Sequence, residues 1–402
     1  MKRNRAACCI LALFLCISCL AGCRKEEPQF ILGMDASCVP ALEAGGVQYY
    51  NKEGQVQDVF AILADAGINY IRVRVWNDPF DENGNGYGGG NCDIQNALEI
   101  GKRATQYGMK LLVDFHYSDF WADPGKQMVP KAWKGMNIQE KTDALYAFTC
   151  DSLALLKDAG VVVGMVQIGN ETNGGIAGET QWQNMAKLFS AGAKAVRSTL
   201  PEALVAVHFT NPEKAGAYEY YSKQLAEYEV DYDVFASSYY PQWHGSLENL
   251  QQVLKAINET YGKQVMVAET AHAYTVNDLD FHGNTVTVET KTPYPKTVEG
   301  QAAWMRDVAN AVAQTPGGIG VFYWEGTWIA AGGRNWEENR NLWETHGSGW
   351  ASSFAGEYDP KDAGQYYGGC AVENQAFFDS QGKPLRSLDV FQELSQQLQT
   401  AK

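Results

Sequence analysis

Eight short apolar runs punctuate the chain: Ile31–Met34, Tyr70–Trp76, Lys110–His116, Val163–Gly169, Leu204–Phe209, Asp233–Tyr240, Gln264–Glu269 and Gly318–Glu325. Runs this short, several of them apolar on both alternations, predict strands buried on both faces, as in a parallel sheet. Stretches with helical periodicity lie between them: Val56–Ala66, Ile94–Tyr107, Lys141–Lys157, Glu179–Leu200, Leu247–Tyr261 and Ala302–Ala313. In the first of these, Val59, Ile62 and Leu63 share a face. Gly67, Gly108 and Gly160 stand where a helix stops and a strand begins. Eight strands alternating with helices predict an α/β fold, a (β/α)8 TIM barrel formed as a single domain by residues 30–402. A doubly wound open sheet fits less well, because no Gly-x-Gly-x-x-Gly turn follows the first run. Long loops are expected after strands 2, 7 and 8. Asp78–Asn91 is rich in Gly and Asn, and Gly326–Gln375 carries Trp328, Trp336, Trp343 and Trp350. Irregular stretches of that length in a compact domain usually serve function.

The runs end on polar residues. At their C-terminal ends stand Asp35, Arg74, His116, Asn170 with Glu171, His208, Tyr239 with Tyr240, Glu269, and Trp324 with Glu325. In a barrel these ends converge on the face that carries activity. Glu171 ends the fourth run and Glu269 the seventh, 98 positions later (269 − 171). Three βα units of roughly 31 residues span a similar length, so the two face each other across the barrel mouth. Opposed carboxylates suit glycosidic bond cleavage: a protonated one gives its proton to the leaving oxygen, and an ionised one attacks the anomeric carbon. Arg74 is expected to keep Glu269 ionised, unless it forms a structural ion pair in the barrel. One of Tyr239 and Tyr240 is expected to donate a hydrogen bond to Glu269. His116 and His208 read equally as substrate contacts or as hydrogen-bonded barrel histidines. Trp324, beside Glu325, reads as a sugar platform, with core packing as the alternative.

Composition narrows the partners. Eleven Trp and twenty-one Tyr supply aromatic surface of the kind that lines carbohydrate clefts, although such residues also fill cores. A net charge of −15 argues against nucleic acid or an anionic membrane surface. The first 22 residues read as a targeting segment: Lys2, Arg3 and Arg5 precede an apolar stretch, Ile10–Leu20, too short to span a bilayer. It ends in Leu20-Ala21-Gly22-Cys23, which resembles the lipobox of bacterial lipoproteins. Residues 1–22 are therefore expected to be a signal peptide, Cys23 the lipidated N-terminus and residues 23–29 a tether. Cleavage would leave a formal charge of −15 − 3 = −18. The expected location is the outer membrane or cell surface of a Gram-negative bacterium, with membrane contact only through the lipid. Of nine Cys, four lie in the leader and a fifth is Cys23; the remaining Cys38, Cys92, Cys150 and Cys370 are too few for a disulfide framework.

Several stretches carry a family resemblance. They are Gly33-Met34-Asp35-Ala36-Ser37, Arg72-Val73-Arg74-Val75-Trp76, the run from Asp114-Phe115-His116 to Pro124, and Gln167-Ile168-Gly169-Asn170-Glu171. Ser238-Tyr239-Tyr240-Pro241, Ala268-Glu269-Thr270 and Glu373-Asn374-Gln375-Ala376 complete the set. From about Phe30 onward the chain resembles the glycoside hydrolase family 53 endo-β-1,4-galactanases of clan A. The resemblance implies retaining hydrolysis of β-1,4-galactan in the side chains of pectin, with Glu171 as acid/base and Glu269 as nucleophile. It also implies Asp35, Arg74, Asp114, His116, Asn170, His208, Tyr239, Tyr240, Trp324 and Glu325 as substrate-site residues, with Asn170 contacting the sugar hydroxyl next to the reacting carbon. In Asp278-Leu279-Asp280-Phe281-His282-Gly283-Asn284 polar groups alternate, as in loops that wrap Ca²⁺. Bacterial members of the family similarly hold calcium after the seventh strand, so a structural Ca²⁺ on Asp278, Asp280, His282 and Asn284 is expected, His282 through its carbonyl. No organic cofactor is expected, the partner is a polysaccharide, and the protein is expected to be a monomer. The alternatives are a carbohydrate-binding surface lipoprotein on a barrel scaffold, or another clan A endo-glycanase.

Overall fold

The computed structural model describes residues 29–332, 335–365 and 369–400. The signal peptide expected over residues 1–22 and the lipidation expected at Cys23 lie outside the described residues. Ile31–Lys402 forms one compact unit.

Eight parallel strands close into a barrel in chain order. They are β1 (Ile31–Asp35), β2 (Tyr70–Val75), β3 (Lys110–Phe115), β4 (Val163–Ile168), β5 (Leu204–Phe209), β6 (Val234–Ser238), β7 (Gln264–Thr270) and β8 (Gly318–Tyr323). The helices are α1 (Val39–Ala44), α2 (Val59–Asp65), α3 (Ile94–Gln106), α4 (Ile138–Asp158), α5 (Trp182–Thr199), α6 (Ala217–Glu227), α7 (Leu247–Tyr261), α8 (Val298–Gln314), α9 (Trp336–His346) and α10 (Val390–Thr400). Each predicted strand is present within two residues of its expected ends. The periodicity reading missed α1, α6, α9 and α10. In α6, Tyr-rich and polar, only Tyr218, Ser222 and Leu225 are buried, so its apolar stripe is thin.

Local chemistry sets the helix starts. Asp58, Asp93, Ser246 and Thr297 each accept a backbone N–H of the helix they precede, and Asn137 closes a capping box with Glu140. The barrel interior is filled by Leu112, Met165, Val234, Met266 and Phe322 among others. Gly33 pairs with Phe322 in the β1–β8 ladder, and a Cβ at Gly33 would lie 2.1 Å from the Phe322 ring. Only glycine lets that ring fill the barrel there.

The loops after β2, β7 and β8 are long, as expected. The last of them is partly ordered as α9. It contributes Trp328 and Trp350 to a cluster with Trp76, Phe120 and Trp121 from the loops after β2 and β3. Cys38, Cys92, Cys150 and Cys370 are free thiols. No helix among the described residues is long and apolar enough to cross a membrane.

Candidate active site

The floor of the barrel mouth is a buried charge network centred on Arg72 of β2. Its Nη1 donates to Asp35 Oδ2 at 2.9 Å. Its Nη2 faces Asp114 Oδ2 and Glu269 Oε1, both at 2.8 Å, and Asn170 Oδ1 at 2.9 Å. Gln167 Nε2 donates to Asp114 Oδ1 at 2.6 Å. Arg72, Asp35, Asp114 and Gln167 are fully buried. A planar guanidinium can serve several acceptors from one position, which a lysine ammonium cannot reproduce. Asp35 and Asp114, expected to meet substrate, lie beneath the site and hold its cation instead.

The expected Arg74–Glu269 pair is not formed. Arg74 Nη1 lies 2.5 Å from Glu325 Oε1 and 3.2 Å from Asp35 Oδ1, and its Nη2 donates to Cys38 Sγ at 3.3 Å. Its guanidinium stacks on the Trp121 ring at 4.4 Å. Arg72 and Arg74 are two positions apart, so both point into the barrel. Arg72 lies within reach of β7, while Arg74 turns toward β1 and the loop after β8. Glu325 is correspondingly the buried partner of Arg74. Burial pushes its carboxyl up to about 8, Arg74 opposing and Asp35 adding.

Glu269 receives two hydrogen bonds suited to a carboxylate: Arg72 Nη2 on Oε1, and the Tyr240 hydroxyl on Oε2 at 2.9 Å. Of the two tyrosines expected there, Tyr240 makes the contact. Tyr239 donates to Gly245 O at 2.8 Å and stacks on Trp304, away from the cleft. Glu171 follows a tight turn out of β4. Gly169 has φ +107° and Glu171 itself φ +45°, a left-handed conformation that lifts its side chain over the barrel mouth. Glu171 Oε1 lies 2.6 Å from Ser238 Oγ, and no cation pairs with it among the described residues.

These surroundings separate the two carboxyls. Burial, then the charge of Glu269, push Glu171 up to about 8. Burial also raises Glu269, but there Arg72 and the Tyr240 hydroxyl oppose it. Glu269 therefore ionises first, and its charge holds the proton on Glu171.

A cleft of about 470 Å³ opens over both glutamates, lined by Tyr240, Trp243, Trp324 and Trp350 among others. A recess of about 120 Å³ beside it reaches Arg74, His116, Trp121 and Asn170. Trp121 and Trp350 stack with centroids 4.5 Å apart, giving the recess an aromatic wall. Trp324, half-buried, faces both spaces. His116 Nδ1 accepts from Trp76 Nε1 at 3.1 Å and Ala122 N at 3.0 Å. Its Nε2 therefore carries the hydrogen and donates to Asp114 Oδ2 at 3.1 Å. His208 is fully buried beneath Asn170, a hydrogen-bonded barrel histidine that does not line the cleft.

Sequence reasoning gave no individual site role to Arg72, Gln167, Ser238, Trp121, Trp243 or Trp350, although all but Trp243 stand in the motifs or the long loop it quoted. Arg72 and Gln167 carried the same signal as Arg74 and Asn170, polar groups inside apolar runs. Ser238 immediately precedes the tyrosine pair.

The acidic loop after β7 carries the four expected ligands, Asp278, Asp280, His282 and Asn284. Asp280 gathers with Cys370 and Glu373, from the loop after β8, with ligand atoms within 4.8 Å of one another. Asp278 is exposed. Asp280 Oδ1 accepts from His282 N at 2.7 Å and its Oδ2 from Cys370 N at 3.0 Å, so one carboxylate ties the two loops together. Glu373 Oε2 and Asn284 Oδ1 are buried oxygens without a hydrogen-bond partner among the described residues. Such oxygens suit a hard cation. The Cys370 thiol, pushed far up by burial, does not.

Comparison with known proteins gives the family. Residues 31–391 match the profile described as Glycosyl hydrolase family 53. The chain is 60% identical over 366 residues to an endo-beta-1,4-galactanase of Bacillus subtilis, covering 90% of this chain and 85% of that protein. It is 36% identical over 335 residues to an arabinogalactan endo-beta-1,4-galactanase of Cellvibrio japonicus, covering 79% and 86%. Among solved structures it resembles the Ignisphaera aggregans GH53 catalytic domain, with TM-score 0.80 and 36% identity over 90% of this chain and 95% of that one.

Proposed function

The chain belongs to glycosyl hydrolase family 53, and on that premise we propose how its own residues perform the reaction. That reaction is endo-hydrolysis of β-1,4-galactosidic bonds in galactan, with retention of configuration. Glu171, held protonated by burial and by the charge of Glu269, protonates the leaving glycosidic oxygen. Glu269, ionised beside Arg72, attacks the anomeric carbon and forms a glycosyl ester. Glu171, now a carboxylate, takes a proton from water as the water opens that ester. Asn170, in the recess beside both glutamates, contacts the hydroxyl next to the reacting carbon, and Trp324 carries the apolar face of a sugar ring.

The observation that carries these assignments is the asymmetry of the pair. A cation touches Glu269 at 2.8 Å, and Glu171 meets a neutral serine hydroxyl. The proposal extends to the margins of the site. Asp280, Glu373 and Asn284 would hold a structural Ca²⁺ whose charge binds the loops after β7 and β8 together. The basic, apolar and Leu20-Ala21-Gly22-Cys23 segments support export and lipid anchoring through Cys23, at the outer membrane or cell surface.

The test is product analysis on galactan, mannan, xylan and arabinogalactan. Wild-type protein releases oligosaccharides from β-1,4-galactan. Glu171→Gln and Glu269→Gln each lose that activity while keeping the wild-type circular dichroism spectrum. Near-normal activity in either variant overturns the assignment.

A further inference from the structure

Glu171 faces a hydroxyl whose other partner the reaction above does not use. Ser238 Oγ lies 2.6 Å from Glu171 Oε1 and 2.9 Å from Nε2 of His208. On the far side of the imidazole, Nδ1 lies 2.9 Å from Asn170 Oδ1. The orientation of that amide is fixed at both ends. Its oxygen accepts from Arg72 Nη2 at 2.9 Å, and its nitrogen donates to Ala122 O at 2.9 Å. An acceptor oxygen thus sits against Nδ1, which therefore carries a hydrogen. Gln167 Nε2, 3.1 Å from Nδ1, has its hydrogens committed to Asp114 Oδ1 at 2.6 Å and to Asn170 Oδ1 or Gly169 O at 3.1 and 3.2 Å. The Glu171 N–H, at 3.4 Å, is the longest of these contacts. Burial, then Arg72 and His116, hold the imidazole neutral. A neutral ring with its hydrogen on Nδ1 presents a lone pair at Nε2. The Ser238 hydrogen therefore has two acceptors within reach: His208 Nε2 and Glu171 Oε1.

We propose that Ser238 and His208 form a two-position hydroxyl relay that stabilises Glu171 in both of its protonation states. The proposal rests on Glu171 being the acid/base. While Glu171 is the acid, its O–H donates to Ser238 Oγ and the Ser238 O–H donates to His208 Nε2. Once the proton has gone to the leaving oxygen, the Ser238 O–H turns to the Glu171 carboxylate and stabilises the base. In the second step Glu171 recovers a proton from water and the hydroxyl turns back. Only a hydroxyl rotates; Ser238 and His208 exchange no proton with substrate and are positioning residues.

Other ionisable groups act on the same atoms. Glu269, Asp123, Tyr240 and Tyr218 face Glu171, and Thr210 adds a hydroxyl. Arg72 and His116 face His208. All of them are unchanged in the variants that follow.

The test is the pH dependence of kcat/KM on β-1,4-galactan, whose basic limb reports the acid of the free enzyme. In His208→Asn the amide keeps a donor for Asn170 and removes the acceptor for Ser238. The Ser238 O–H is then left to the Glu171 carboxylate alone, and the basic limb moves to lower pH by about half to one unit. His208→Gln, whose amide oxygen reaches the Nε2 position, returns it. In a Ser238→Ala background His208→Asn moves the limb no further. An unmoved limb in His208→Asn, or an equal shift in the Ser238→Ala background, overturns the relay. Nitrogen-15 NMR of histidine-labelled wild type tests it without substitution: below the basic limb His208 carries its hydrogen on Nδ1, and a hydrogen on Nε2 there overturns the relay. Undiminished activity in Glu171→Gln would instead remove the acid/base role on which the relay rests.

Discussion

Arg72 Nη2 donates to Glu269 Oε1 at 2.8 Å from within the barrel, where the arginine is fully buried. The same guanidinium holds Asp35 and Asp114, so catalysis and folding share one cation. Arg72→Gln removes the charge that opposes burial at Glu269. The Glu269 pKa then rises, and the acidic limb of kcat/KM moves to higher pH. Activity falls by at least roughly a hundredfold, in the range of a lost transition-state donor. The variant also melts well below wild type, because breaking a buried ion network costs about 3–5 kcal/mol. Stopped assays across pH and calorimetry check both effects.

The barrel and its two glutamates were legible in the sequence because their signals are local. Each strand is an apolar run, and each glutamate ends one. Which arginine serves Glu269 was not legible. Arg72 and Arg74 have the same parity in β2, and the distinction depends on depth in the barrel, which alternation does not encode. The Asp280–Glu373 pairing was hidden for a different reason: its members lie in separate loops, and only the fold brings them together. Likewise Ser238 reads as one more small residue in a strand until His208 and Glu171 are seen on either side of it.

Glu325 predicts a pH-dependent stability. Burial raises its carboxyl from an ordinary value of 4.5 to about 8 in the folded protein, with Arg74 opposing and Asp35 adding. For a carboxyl raised on folding, the protonated native form is favoured. Its contribution is complete below the unfolded value and disappears as pH rises through the folded one. The melting temperature of wild type therefore falls between about pH 5 and pH 8 more steeply than that of Glu325→Gln. Parallel melting curves for the two proteins across that range would contradict this.

Calcium is expected to act on stability. After treatment with a chelator, added Ca²⁺ should raise the melting temperature by a few degrees, since a ligand that binds only the folded state stabilises it by mass action. Mg²⁺, which demands a tighter octahedral shell, should do so much less. Asp280→Asn should remove the Ca²⁺ response. A response that survives in this variant places the ion elsewhere.

The leader predicts a location. With Cys23 intact, the protein should partition with membranes and incorporate labelled fatty acid. Cys23→Ser should abolish labelling and membrane attachment together. Membrane partitioning unchanged in that variant would exclude anchoring at this residue.

The division of labour between Glu171 and Glu269 is tested most directly by azide rescue of alanine variants on an aryl β-galactoside with a good leaving group, read by proton NMR. If Glu171 is the acid/base, Glu171→Ala still forms the glycosyl ester on Glu269, and azide opens it to the β-galactosyl azide. Glu269→Ala has no ester to open, and azide enters directly to give the α-azide. An α-azide from Glu171→Ala, or a β-azide from Glu269→Ala, would contradict the assignment.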